Sequence, residues 1–271
     1  LDQGHGISLD LIVVPITLAS LVGLAVVIGR LSVLRQGRII VPRSATAVDT
    51  VSASTDLAAA YALAAATGQY IPMLALSVPL FLVVESVRVR RFSLFPFDFF
   101  RRDVDVADKF NQAALLCLSI GIVFASAVTL NNEYLELISY EKLTLEVFFL
   151  GYSFPVSLIT MSLMFSFMTE RQNRLTAVLK EIGFWFVNVG VVVFFTFIIF
   201  GLFIAEMAIA TTLFFTVFMI FFLFLLTAPP VQQKTFLVSG MVFLLFTALT
   251  GIFYILFYFF PMDDTFKEYF L

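Results

Sequence analysis

Between Glu85 and Asn111, six basic and five acidic side chains fall within 27 positions of an otherwise hydrocarbon-like chain. The segment reads ESVRVRRFSLFPFDFFRRDVDVADKFN. Its ionisable groups are carboxylates, guanidiniums and one ammonium. Its chemistry is therefore charge pairing and proton exchange. Glu85 stands three residues before Arg88, a spacing that puts both on one helix face for an ion pair. Pro96, Phe97 and Asp98 turn the chain. Asp103, Asp105 and Asp108 then precede an apolar run, where carboxylates favour the positive end of a helix dipole. A plain structural role accounts for the same residues: a solvated inner loop with dipole-matching acids and topology-setting arginines.

Several chemistries are excluded by what the chain lacks. Its single histidine, His5, precedes the first apolar run. No histidine can then ligate haem at membrane depth. HExxH zinc chemistry and Ser-His proteolysis fall with it. The single cysteine, Cys117, rules out an internal disulfide and a cysteine-based metal cluster. No cofactor is therefore expected by ligation or covalent attachment. A net charge of −3 gives no footprint for nucleic acid. The opening LDQGHGISLD is not basic, so the first apolar run does not read as a signal peptide.

The elements that must position the charged segment are membrane helices. The chain has 271 residues, is 61% hydrophobic and has a mean hydropathy of +1.03. Apolar runs fall at 9–29, 52–69, 71–87, 111–130, 145–168, 183–205, 207–228 and 235–260. Runs near 20 residues can cross about 30 Å of hydrocarbon. A transmembrane barrel would alternate apolar and polar residues instead. The expected fold is all-α: one polytopic integral membrane bundle over residues 1–271, with about eight transmembrane helices. The Ala-rich second run carries Asp56, and its small residues suit close helix packing. The stretch from Gly183 to Leu226 is too long for one span, and Glu206 marks the expected break.

Topology follows from charge. With both termini outside, the inner loops hold Arg30, Arg35, Arg38, Arg43, Arg88, Arg90, Arg91, Arg101, Arg102, Lys109, Arg171, Arg174, Lys180 and Lys234. Those are 14 of the 16 Lys and Arg residues, an asymmetry that fits the positive-inside rule. Fusing the second and third runs into one helix would put the Arg43 loop opposite the Arg88 loop and spoil it.

The order of residues in the charged segment resembles the quinone-chamber subunit of proton-pumping NADH:quinone oxidoreductase, a family shared with membrane-bound hydrogenases and formate hydrogenlyases. The family pattern is Glu-x-x-Arg, then Pro-Phe-Asp, then two acids in alternate positions, then Phe-Asn. Glu85 and Arg88 match its first part, and Pro96-Phe97-Asp98 its second. Asp103 and Asp105 stand where the family usually has glutamates, and Phe110-Asn111 closes at the family spacing. The chain departs in inserting VRRFSLF after Arg88 and in carrying Lys109 where the family has glycine. Pro79-Leu80, the Arg43 loop, Asp56 and the Glu170–Leu179 stretch extend the likeness. It covers residues 16–205 and leaves two additional helices over 206–271 without counterpart.

The resemblance implies a non-catalytic subunit of a redox-driven, ion-translocating complex in an energy-transducing inner or plasma membrane. A quinone headgroup, or its counterpart in a hydrogenase relative, would enter a cavity on the inner face. Glu85, Asp98, Asp103 and Asp105 would be the coupling acids, and Arg88 and Arg43 would hold their network. Carboxylates close to one another titrate as coupled groups, so a charge change at the cavity could move protons. The implied partners are other membrane subunits, an iron–sulfur subunit of the peripheral arm on the inner face, and lipid. Two other readings use the same residues. A small transporter or channel would have Asp56 and Glu85 on its pathway, and a structural or assembly subunit would have no chemistry.

The remaining polar and special residues read as structure. Glu206 is expected at a surface turn, Asn188 bonded to another helix, and Cys117 in packing. Trp185 suits an interfacial anchor, and Pro155 a helix kink.

Overall fold

The computed structural model describes residues 45–92, 94–137, 154–168, 174–230 and 234–242, with 245–246 and 249 beyond them. Every regular element among the described residues is helical. In chain order these are α1 (Ala45–Ala66), α2 (Tyr70–Arg91), a 3-10 turn (Phe97–Phe100), α3 (Val106–Leu130), α4 (Phe154–Phe167), α5 (Arg174–Phe200) and α6 (Phe203–Thr227). Residues 234–242 are helical as well. The apolar run at 9–29, parts of those at 145–168 and 235–260, and Arg43 lie outside the described residues.

Four helices are long and apolar enough to cross a membrane: Tyr70–Arg91, Val106–Leu135, Arg174–Phe197 and Phe203–Thr227. The shortest has 22 residues. At 1.5 Å per residue that is about 33 Å, enough for a hydrocarbon core of about 30 Å. Among the described residues the protein is all-helical, with four helices able to span a membrane. The described apolar stretch of α1, Asp56–Ala66, and α4 are shorter.

Two compact units divide the chain, residues 1–160 and 161–271. In the first, α1 packs on α2 and α2 on α3. The buried residues of α2 are Met73, Ser77, Leu80, Val84 and Arg88, at steps of three and four. That spacing is one face of a helix. Ile71, Val78, Leu82 and Val89 form a second apolar stripe on the opposite side and are exposed. A helix with apolar residues all round suits contact with protein on one face and lipid on the other. Ala58, Tyr61, Ala64 and Ala65 of α1 and Leu115, Leu118 and Ile122 of α3 complete this core.

Glycine sets the corner between α1 and α2. Gly68 has φ +68°, and its N–H donates to Ala65 O at 3.1 Å. The Gln69 N–H donates to Ala64 O at 2.8 Å. This crossed pair of bonds around a left-handed residue satisfies carbonyls that the helix end would leave bare.

The same device corrects one expectation. The long apolar stretch breaks at Gly201, not at Glu206. Gly201 has φ +64°, and the Leu202 N–H reaches back to Phe197 O at 3.0 Å. Glu206 lies in the first turn of α6, where its carboxylate faces the positive helix end. Asn188 is a second correction. Its Nδ2 donates to Phe184 O at 2.8 Å within its own helix, so it ties no other helix through that bond. Pro155 sits at the second position of α4 as described, and Pro79 is carried inside α2.

In the second unit α5 packs on α6 at close range. Gly183 and Gly190, seven residues apart, share one face. A β-carbon on Gly190 would meet Leu213 Cδ2 at 2.7 Å, and one on Gly183 would meet Ile220 Cγ1 at 3.0 Å. Small residues let the two backbones approach without a hydrophobic drive in lipid. Gly190→Val should therefore lower the thermal stability of the detergent-solubilised protein by about 1–3 kcal/mol through overpacking. Gly190→Ala, which asks only that the Leu213 side-chain tip move, should cost less. Equal losses in both variants would mean that Leu213 cannot yield.

Candidate functional site

Helix α2 does not stop where its apolar residues run out. It continues through Arg88, Arg90 and Arg91, and these cations lie in its last turn, where the helix dipole favours them. Phe92 ends it in extended backbone, with its N–H on Arg88 O at 2.8 Å. The chain then turns through Phe97–Phe100 and enters α3 at Asp105. Asp105 is the N-cap: its Oδ1 accepts the Ala107 N–H at 3.3 Å, and its carbonyl accepts those of Asp108 and Lys109. This cap places Lys109, Phe110 and Asn111 inside the helix, one turn earlier than the apolar run predicts. The connection between α2 and α3 accordingly shrinks to residues 92–105.

Three ion pairs organise this end of the hairpin. Arg88 clasps Glu85, with Nη2 on Oε2 at 2.7 Å and Nε on Oε1 at 3.0 Å. The pair expected from the i, i+3 spacing is therefore present. Arg88 is buried, its side chain 4% exposed, and Glu85 is half-buried at 18%. Arg91 Nη2 reaches Asp108 Oδ1 at 2.7 Å and ties the end of α2 to the start of α3. At the opposite end of the same two helices, the Tyr70 and Glu133 side chains meet. The third group is open to solvent. Arg101 holds Asp103 at 2.6 Å and approaches Asp98 at 3.7 Å.

The hydrogen bond from Arg101 holds the Asp103 carboxyl below the usual carboxylate range, and the Lys109 ammonium adds to this from a distance. Lys109 itself is almost wholly buried in α3. It belongs to a polar stripe on that helix with Asp105, Asp108, Gln112 and Ser119, positions that fall within one helical face. Ser119 Oγ faces the Glu85 carboxylate at poor hydrogen-bond geometry. Gln112 is fully buried, and neither polar atom of its amide has a partner. Arg91 Nη1 is likewise buried and unbonded. Such groups cost about 1–3 kcal/mol each, which makes this polar end the least settled part of the hairpin.

The residues singled out in the sequence thus separate into places. Glu85 and Arg88 form one buried pair, and Asp98 and Asp103 gather on Arg101. Asp105 caps a helix and is exposed, and Asp56 is exposed on α1. Sequence reasoning passed over the Arg91–Asp108 tie, although Arg91 follows Arg88 by one further turn. It passed over Gln112 too, whose signal was an amide inside an apolar run. No group of three His, Cys, Asp or Glu that could hold a metal occurs among the described residues.

Two arginines should behave differently on removal. Arg88→Ala strands a largely buried carboxylate and should destabilise the fold by about 3 kcal/mol. Arg101→Ala should lower the melting temperature far less, because its close partner Asp103 is exposed and screened and Asp98 lies 3.7 Å away. It should instead raise the pKa of Asp103, read by carboxyl NMR on labelled protein. The sign is that of a depressed carboxylate: the pairing contributes above the ordinary carboxylate pKa and is lost as pH falls through the depressed value. An unchanged Asp103 titration in that variant would rule out Arg101 as the cause.

No family model matches the chain, and no curated protein or solved structure does either.

Proposed function

We propose that this chain is a membrane subunit of a redox-driven, ion-translocating complex, with the Glu85–Asn111 segment on its acceptor side. Eight spans with both termini outside complete the proposed topology, in an energy-transducing membrane. The observation that carries the reading is the buried Glu85–Arg88 pair at the end of a spanning helix. An ionised pair at that depth is costly, and ionisable groups within spans are functional by default. The Pro-Phe-Asp, alternate-acid and Phe-Asn order that follows it gives the reading its specific form.

The donor chemistry fits a quinone. Arg91 Nη1 and the Gln112 amide, buried and unbonded, are the hydrogen-bond donors that a carbonyl oxygen requires. Bound there, a quinone would supply the redox chemistry. The chain supplies charge. Glu85 and Arg88 would hold a fixed dipole near the bound headgroup, and the Arg91–Asp108 pair keeps α2 and α3 in register. Asp98 is half-buried beside Arg101, and Asp103 and Asp105 stand at the loop surface, where an iron–sulfur partner subunit would complete the enclosure.

The test is a double substitution that spares the fold. Asn caps a helix as well as Asp does, so Asp105→Asn keeps α3. Asp103→Asn gives up only an exposed pair. The combined variant, assembled in native membranes, should lose at least about tenfold of quinone-linked turnover. The assembled complex should also carry the electron paramagnetic resonance signals of iron–sulfur clusters. Normal turnover in the variant would remove the coupling role. Ion flux from the purified chain alone in proteoliposomes would replace the subunit reading with a transporter.

A further inference from the structure

The connection between α2 and α3 is not a polar loop. Leu94, Phe95, Phe97 and Phe100 are 60%, 62%, 66% and 74% exposed. In a 3-10 turn, residues three apart eclipse one another, so Phe97 and Phe100 point the same way. Phe95 joins them, its ring centroid 5.8 Å from that of Phe97. Three exposed aromatic side chains thus stand together between α2 and α3, with exposed Leu94 next to them in the chain. Soluble surfaces seldom carry such a patch without a partner.

Charge indicates which partner. Arg88 is matched by Glu85, Arg91 by Asp108, and Arg101 by Asp103 and Asp98. Arg90 and Arg102 flank the aromatic turn, and both are exposed with no acid among the described residues bonded to them. The turn therefore combines exposed aromatic residues with two uncompensated guanidiniums at a helix end. Apolar side chains of an interfacial segment sink into the headgroup–acyl boundary, and surface cations are drawn to anionic lipid.

We propose that residues 94–102 form an interfacial membrane anchor. Phe95, Phe97 and Phe100 enter the acyl boundary, and Arg90 and Arg102 engage the phosphates of anionic lipid. This assignment stands apart from the redox reading and needs neither quinone nor a partner subunit. It makes the α2–α3 connection lie along the membrane surface, with Asp103 and Asp105 next along the chain.

The chain has a single tryptophan, Trp185, which permits a clean depth measurement. Full-length protein carrying Trp185→Phe and Phe97→Trp is reconstituted into vesicles of phosphatidylcholine, with or without phosphatidylglycerol. Lipid brominated near the head of the acyl chain should quench the new tryptophan at least about twofold more than aqueous iodide does. Adding Arg90→Gln and Arg102→Gln should abolish the extra quenching gained with phosphatidylglycerol. A second reporter, Phe100→Trp, guards against a local disturbance at position 97. Strong iodide quenching with no bromolipid quenching at both positions would overturn the anchor. So would a photo-crosslinker at Phe100 that captures protein instead of lipid in native membranes.

Discussion

A guanidinium can be buried at the end of a helix only if a carboxylate is brought in with it. The α2–α3 hairpin depends on that constraint. Three of the last four residues of α2 are arginines. Arg90 stays exposed, whereas Arg88 is buried and Arg91 half-buried. Glu85 takes Arg88 inside, and Asp108 takes Arg91 across to α3. With those two charges matched, Met73, Ser77, Leu80 and Val84 can form one continuous buried face down to the polar end. The apolar core is the larger contribution, but its register is fixed by the pairs. A slip of one turn would leave Arg91 without Asp108.

The polar end is tied but incompletely satisfied. Gln112 and Arg91 Nη1 are enclosed without hydrogen-bond partners, and Ser119 meets Glu85 only at poor geometry. A buried network of this kind is costly when half complete. The opposite end differs in kind. There Tyr70 and Glu133 meet, and α3 closes through a π-helical turn, Asn131–Leu135, capped by left-handed Glu136. The hairpin is thus asymmetric, with its incompletely bonded groups gathered where the arginines are.

Much of this was legible in the sequence, and the misses have physical causes. Apolar length gave the helices, and Glu-x-x-Arg gave the buried pair, because both signals are local. The Gly68 corner was legible because glycine stands beside polar Gln69. Gly201 was not, because it sits among phenylalanines and a charged residue five positions later drew the break. The start of α3 was missed because Lys109 reads as solvent, whereas burial in the bundle and the Asp105 cap take it inside. Arg91 and Asp108 lie 17 residues apart, and no local pattern joins them. The exposure of Asp103 and Asp105 was equally hidden, since an acid beside a helix start looks the same whether it lines a cavity or faces water.

Gly201 bears on how the protein is made. Only Gly201 and Leu202 separate α5 from α6. Neither is charged, so almost no polar chain has to cross the bilayer between these two spans. Arg174 and Lys180 at the start of α5, and Lys234 beyond α6, flank the helix pair at the ends away from Gly201, an arrangement the positive-inside rule favours. The two helices can then leave the insertion machinery together, as a hairpin already closed on Gly183 and Gly190. A change that lengthened the corner with charged residues would turn one insertion event into two, and would expose the glycine face to lipid before its partner arrived.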